Sequence, residues 1–224
     1  MRFIVIEGLD GSGKTTQIKL FLKYLDEKSI SYRYLHFPRT DSPFYGELIA
    51  RFLRGDFGDI EKVHPYLVAL IYAGDRNDAK EIIMEWLNTG YIVIADRYVN
   101  SNIAFQCAKL KNKKARQDLK NWILHFEYDY HRIPKPDLNI FLDVPFEFTK
   151  RKLSGTRKGD DRRYLKGQND IHEKSLDFQK EVREIYLEIS KFDPTFIRID
   201  CSDGDGGILS PEEIFAKIVD RLKI

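Results

Sequence analysis

The sequence predicts an α/β fold, a mainly parallel sheet with helices on both faces, and two observations point to it. Short β-branched and aromatic runs recur along the chain, at FIVIEG (3–8), YRYLHF (32–37), YIVIAD (91–96), LNIFLDV (138–144) and TFIRID (195–200). Between them lie longer segments with helical spacing, such as Ile18, Leu22 and Leu25, or Ile82, Ile83, Trp86 and Leu87. Such alternation implies parallel strands joined by crossover helices. The run from Phe3 to Ile6 is continuously apolar, as a central strand covered on both sides requires. Helical spacing is also expected over Phe146–Lys152 and Ile171–Ser190. No repeat or low-complexity linker divides the chain, which reads as one domain over 1–224.

Composition removes several function classes. Lys and Arg total 37 against 35 Asp and Glu, so the net charge is only +2. That balance supplies no global attraction to nucleic acid or to an acidic membrane surface, and any anion site must be local. Cys107 and Cys201 form neither a metal-ligand spacing nor a disulfide framework. They read as reduced thiols. The N-terminal apolar run stops at Glu7, and no stretch approaches the roughly 18 apolar residues that span a bilayer. The expected compartment is the cytoplasm. The basic run Lys109–Arg116 has no interleaved aromatic and is expected to be a solvated turn.

Gly8-Leu9-Asp10-Gly11-Ser12-Gly13-Lys14-Thr15 satisfies GxxxxGK[ST], between an expected strand and an expected helix. Glycines let successive N–H groups converge on a phosphate without Cβ obstruction. The following helix points its positive end at the same anion. Lys14 adds charge for β- and γ-phosphates, and the Thr15 hydroxyl is placed to ligate Mg²⁺. Gly8, Asp10, Gly11, Ser12, Gly13, Lys14, Thr15 and Thr16 therefore form the candidate nucleotide site. GTPases, ATPases and kinases share this loop, so it names no reaction.

A second constellation narrows the field. The strand 91–95 runs into Asp96-Arg97-Tyr98. In a parallel sheet, strand C-termini face the ligand crevice. Asp96 there can hold Mg²⁺ through water, and Arg97 can grip a phosphoryl group with two N–H donors. The competing reading is a surface ion pair at a strand end.

With these, the chain resembles the thymidylate kinase family, in the variant without an Arg in the phosphate loop. The matching stretches are FIVIEGLDGSGKTTQ (3–17), FPR (37–39), YAGDR (72–76), DRYVNSNIAFQ (96–106) and DIHEKSLDFQKEVREIYLEI (170–189). The resemblance implies a five-stranded parallel P-loop kinase fold with a mobile lid, ATP and Mg²⁺ as cofactors, and dTMP as acceptor. It also implies a homodimer. Residue by residue, it has Asp10 accept a hydrogen bond from the acceptor's 3′-hydroxyl. Arg39 and Arg97 would bind the 5′-phosphate, and Asp96 would organise Mg²⁺. Tyr72 would stack under the pyrimidine, Arg76 would donate to its carbonyl edge, and Asn102 would reach the base. Phe105 would lie against C2′, where an apolar ring disfavours a hydroxyl. Each has a bland rival: Tyr72 and Phe105 as core aromatics, Arg76 as a surface partner of Asp75, Arg39 as a solvated turn residue.

Transfer between two anions needs positive charge at the γ-phosphate, and none of the residues between Gly8 and Lys14 is an Arg. The segment Lys150–Lys166 carries eight basic residues against two acidic and includes Gly155 and Gly159. It reads as a basic flap, the lid approximately 153–168, with Arg157, Arg162 and Arg163 as catalytic candidates beside Lys14, Asp96 and Arg97. The resemblance implies that Arg151 lies near the nucleotide base, where it would stack on adenine. The rival is a merely soluble basic loop. Rival functions are a kinase for dUMP, UMP or a broader set, and a nucleotide switch without transfer. A GTPase would need N-K-x-D after a strand, and the sequence has none.

Overall fold

A computed structural model describes residues 2–60, 62–154, 164–166, 170–172 and 175–222. Arg157, Arg162 and Arg163 lie outside the described residues, as does most of the expected lid. Five strands, β1 (Phe3–Gly8), β2 (Tyr32–His36), β3 (Ile92–Asp96), β4 (Leu138–Asp143) and β5 (Phe196–Asp200), form one sheet in the order β2-β3-β1-β4-β5. Every pairing is parallel. The sheet matches the five expected runs strand for strand.

Alternation along each strand separates two hydrophobic layers, because successive side chains point to opposite faces. Ile4 and Ile6 of β1 join Ile92 and Ile94 of β3 and Ile140 of β4 on one face. There they meet Ile18, Phe21 and Leu25 of α1 (Lys14–Glu27) and Ile214 and Ile218 of α9 (Pro211–Val219). Phe3 and Val5, with Val93, Ala95 and Phe141, face the other way. They are covered by α3 (Pro65–Asp78), α4 (Lys80–Asn88), α5 (Val99–Cys107), α6 (Lys113–Leu124) and α8 (Leu176–Phe192). A third cluster joins α2 (Tyr45–Arg54) to α3 through Ile49, Phe52, Leu53 and Val68. Since β1 and β3 are neighbours with Ile6 opposite Asp96, the end of β3 lies beside the loop that leaves β1.

Three local expectations need correction. The helix expected from Ile171 starts at Leu176, where the Ser175 hydroxyl accepts from the Phe178 N–H and caps it. Ile171 and His172 instead precede it as a turn that packs against α2, with Ile171 N–H donating to Leu53 O at 3.0 Å. Helix α7 (Phe146–Ser154) runs past the expected end at Lys152. The basic run Lys109–Arg116 is not a uniformly solvated turn. Its second half is the start of α6, capped by Asn112, and Lys109 Nζ is covered.

That ammonium lies 4.7 Å from the centre of the Phe52 ring and has no hydrogen-bond partner among the described residues. Burial lowers its pKa to about 7, against an ordinary 10.5. Between those two values the unfolded chain binds a proton that the folded chain lacks, so this group's contribution to stability improves as pH rises from 7. Lys109→Met should therefore melt higher than the parent at pH 7, by roughly 2–4 °C for each kcal/mol regained. Its advantage should shrink towards pH 10. Melting curves of both proteins at pH 7, 8 and 9 check this, and a pH-independent difference would contradict it.

Candidate active site

The loop between β1 and α1 takes its shape from its glycines. Gly11 and Gly13 adopt φ of 75° and 86°, a region costly to residues with a Cβ. A Cβ on Gly8 would stand 2.5 Å from Ser12 Oγ, so only glycine lets the loop close on itself. Helix α1 starts at Lys14 behind Gly13, with no side chain capping its first turn. Its N-terminal amides and helix dipole are thus left for an anion. Lys14 Nζ donates to Leu9 O at 3.0 Å, which folds the ammonium over the same turn.

Beside this loop, Arg97 is nine-tenths buried and sits at φ 65°, in the left-handed region. A non-glycine residue keeps such a backbone only where its surroundings over-determine it. Here they do. Arg97 Nη2 donates to Asp10 Oδ1 at 2.7 Å, and Nη1 donates to Ser101 Oγ at 3.0 Å and Tyr186 Oη at 3.4 Å. Behind them stands Glu7, fully buried at the end of β1. Its Oε1 accepts from the N–H groups of Tyr98 and Ser101, and Oε2 accepts from Ser101 Oγ at 2.5 Å and Tyr186 Oη at 2.9 Å. Burial pushes the Glu7 carboxyl up, and these donors with the Arg97 charge oppose it. Nearby carboxylates hold the Arg97 guanidinium above its ordinary pKa despite burial.

Asp96 behaves differently from Glu7. Burial would raise its pKa, but a hydrogen bond with His36 and the charges of Lys14, His36 and Arg97 outweigh that, and it is lowered. His36 Nδ1 is 3.3 Å from Oδ2, whereas the buried Oδ1 has no hydrogen-bond partner among the described residues. An ionised carboxylate with one oxygen unused is the donor a hydrated Mg²⁺ needs. Thr15 and Lys14 share its cavity.

That cavity measures about 860 Å³. Asp10, Lys14, Thr15, Arg39, Tyr72, Arg76, Asp96, Arg97, Asn102 and Phe105 all line it, so the side chains that the sequence nominates for transfer and acceptor binding meet in one place. Gly8, Gly11, Ser12 and Gly13 form the loop beside it, with Thr16 exposed on the first turn of α1. Arg151 is exposed on α7 and is not among the lining residues. Helix α7 does approach the loop, since a Cβ on Gly11 would meet Lys152 Cβ at 3.1 Å.

The bland readings of the two arginines fail. Arg39 is anchored to Asp75 through its own N–H at 2.9 Å, Nε at 2.9 Å and Nη2 to the Asp75 carbonyl at 2.8 Å. Asp75 is thus the partner of Arg39 and not of Arg76. Arg76 is 1% exposed and forks onto Glu127, Nε to Oε2 at 2.5 Å and Nη2 to Oε1 at 2.6 Å. Phe105 lies 5.0 Å from the His172 ring and 5.0 Å beneath the Arg97 guanidinium. Tyr72 lines the cavity from α3 with its hydroxyl pKa raised by burial, then by Asp170 and Asp10.

Sequence reading missed four supports. Gln179 Nε2 donates to Asp10 Oδ2 at 3.0 Å and to His172 O at 3.0 Å, tying α8 to the loop. Glu7 and Tyr186 hold Arg97, and Glu127 holds Arg76. Gln179 and Tyr186 stand inside a stretch already matched to the family, but no local signal marks either. Glu127 did have a signal: it falls at the next helical step after the buried Leu119 and Ile123. A carboxylate on an apolar stripe is an inward-facing one.

A family model described as "Thymidylate kinase" matches residues 6–206. A probable thymidylate kinase of Pyrococcus horikoshii is 33% identical over 99% of this chain and 95% of its own length. A thymidylate kinase of Kosmotoga olearia is 31% identical, over 97% and 93%. The solved structure of a thymidylate kinase from Candida albicans superposes with a TM-score of 0.72 at 27% identity, covering 98% of this chain and 89% of that one.

The Glu7–Ser101–Tyr186 network should behave as a unit. Tyr186→Phe and Ser101→Ala should each cost about 1–3 kcal/mol, because each leaves the buried carboxylate short of a donor. The double variant should depart from the sum by more than about 0.5 kcal/mol. Urea unfolding midpoints of the four proteins measure this, and strict additivity would mean the groups act separately.

Proposed function

This chain belongs to the thymidylate kinase family, and we propose how its cavity carries a phosphoryl group from ATP to dTMP, giving ADP and dTDP. The observation that supports the mechanism is the convergence of two anion sites, the Gly8–Thr15 turn and the Arg39–Arg97 pair, on one cavity. The turn holds the ATP phosphates, with Lys14 at the β- and γ-groups. Arg97 and Arg39 hold the dTMP phosphate, and their fixed side chains aim one of its oxygens at the γ-phosphorus. The new P–O bond forms as the bond to the β-phosphate oxygen breaks, and the electron pair leaves on ADP. The acceptor oxygen is already ionised near neutral pH, so positioning and electrostatics suffice without a general base.

Thr15, directly, and Asp96, through water, would hold Mg²⁺. When bound, the ion neutralises charge on the β- and γ-phosphates. Asp10 accepts from the 3′-hydroxyl while Gln179 and Arg97 fix its carboxylate. Tyr72 stacks under the base, Arg76 and Asn102 read its polar edge, and Phe105 covers C2′. Arg157, Arg162 or Arg163 brings the remaining charge to the transferring group, and Arg151 stacks on adenine. We take 1–224 as one kinase domain, because its strands share one sheet. A homodimer suits the exposed Leu67 and Leu70 on α3. A cytoplasmic setting suits the two free, buried thiols. No helix among the described residues is long and apolar enough to cross a membrane.

ADP release measured with dTMP, dUMP, UMP, dCMP, CMP and AMP tests the acceptor assignment. The dTMP rate should be highest, with dUMP slower by the ~10–200-fold that one methyl is worth. Comparable rates for AMP or CMP would overturn it. Arg97→Ala should lower kcat by about 10²–10³ in the folded enzyme and also lower its melting temperature, because it removes the charge beside Glu7 and Asp10. Among Arg157→Ala, Arg162→Ala and Arg163→Ala, one should dominate, with a loss on the order of 10³ or more in kcat. Three near-neutral results would remove the lid from the mechanism.

A further inference from the structure

Glu127 carries no assigned role, yet two of the side chains nearest the base position depend on it. It is 0% exposed and lies on the π-helical turn His125–Tyr130 that continues α6. Its Oε2 takes Arg76 Nε, and its Oε1 takes both Arg76 Nη2 and, at 3.0 Å, Asn102 Nδ2. The same Nδ2 donates to Ala69 O at 3.1 Å.

These contacts determine polarity. An ionised carboxylate and a backbone carbonyl only accept, so the Asn102 amide must present its NH₂ to both of them. Its carbonyl oxygen is forced the other way, and Oδ1 is buried with no hydrogen-bond partner among the described residues, on a residue that lines the cavity. Glu127 likewise occupies Nε and Nη2 of Arg76, which leaves Nη1 as the one guanidinium nitrogen with no hydrogen bond to a described residue. The wall therefore offers one donor and one acceptor. An imide edge, with a ring carbonyl beside a ring N–H, matches that pair. An amidine edge, with an exocyclic amine beside an unprotonated ring nitrogen, opposes it at both positions.

We propose that Glu127 is a positioning residue for specificity: its carboxylate orients the Arg76 guanidinium and, with the Ala69 carbonyl, fixes the amide of Asn102, so that the cavity accepts 4-oxo pyrimidines and rejects 4-amino pyrimidines. This rests on the acceptor reading given above. Glutamine at this position would offer a donor as well as an acceptor, which removes the charge that fixes both partners. A merely structural role would lower activity on all acceptors equally. The polarity role changes their ratio.

The experiment compares kcat/KM for dTMP and dCMP in the parent, Glu127→Gln and Glu127→Asp, with KM for ATP as a control. In the parent, dTMP should be strongly preferred. In Glu127→Gln, the dTMP-to-dCMP ratio should fall by about tenfold or more, with the ATP KM little changed. Glu127→Asp keeps the charge and should recover part of the ratio. A parent that does not prefer dTMP defeats the acceptor reading itself. A parent that prefers it, with a folded Glu127→Gln variant of unchanged ratio, overturns the Glu127 role alone. Loss of the fold in both variants also overturns it, since Glu127 would then be a structural support.

Discussion

The buried guanidinium of Arg97 is the constraint around which this molecule is arranged. It sits at a strand end in a backbone conformation that costs about 1–3 kcal/mol wherever it is held. Four elements restrain it: the loop after β1 through Asp10, β1 itself through Glu7, α5 through Ser101, and α8 through Tyr186. No one of these contacts is strong alone. Together they fix a charged group to within the tolerance that in-line transfer demands, before any substrate arrives. Phosphate recognition and folding are thus the same set of hydrogen bonds, and damage to one damages the other.

Three neighbouring strands each deliver a carboxylate to this end of the sheet, and their surroundings give them three jobs. Glu7 faces four donors from α5 and α8 and serves to orient Arg97. Asp143 on β4 is held by Arg183 at 2.6 and 3.0 Å and Arg198 at 2.7 Å, so its charge is consumed structurally. Asp96 alone of the three keeps a buried oxygen without a hydrogen-bond partner among the described residues. The acid types are interchangeable in sequence, and only the donors brought in by α5, α8 and β5 tell them apart. The sequence nominates Asp96 for a cation, and the packing adds the reason that Glu7 and Asp143 are already committed to other partners.

The same distinction explains what could be read from the chain alone. Strand positions were legible because short runs such as Phe3–Ile6 and Ile92–Ala95 are apolar throughout and rich in β-branched residues, as strands covered on both faces require, and alternate residues of each supply the two layers. The loop was legible because its glycines answer a local steric demand. The loop motif, the strand end and family likeness together name ten side chains that line one cavity. What they did not convey was who holds them, because Glu127 is 51 residues from Arg76 and Gln179 is 169 from Asp10. The late start of α8 was missed for a related reason. Ile171 fits helical spacing, yet its backbone is claimed by Leu53 on α2, and Ser175 offers a better cap four residues on.

Charge in the cavity points beyond the described residues. Lys14, Arg39, Arg76 and Arg97 line it, but so do Asp10, Asp41, Asp96 and Asp170. Three of the cations are also committed: Arg39 to Asp75, Arg76 to Glu127, and Arg97 to Asp10. The wall is therefore close to neutral, in keeping with a chain whose net charge is only +2. Such pairing keeps the arginines ordered, and a neutral wall gives little attraction to stray anions. Yet ATP and a nucleoside monophosphate together bring several negative charges, and fixed pairs cannot cancel them. The shortfall must be met by charge that arrives with or closes over the substrates. In the proposed mechanism a divalent ion would supply one part, and the sequence between Lys150 and Lys166, with eight basic residues against two acidic, carries the excess of positive charge to which we assign the rest.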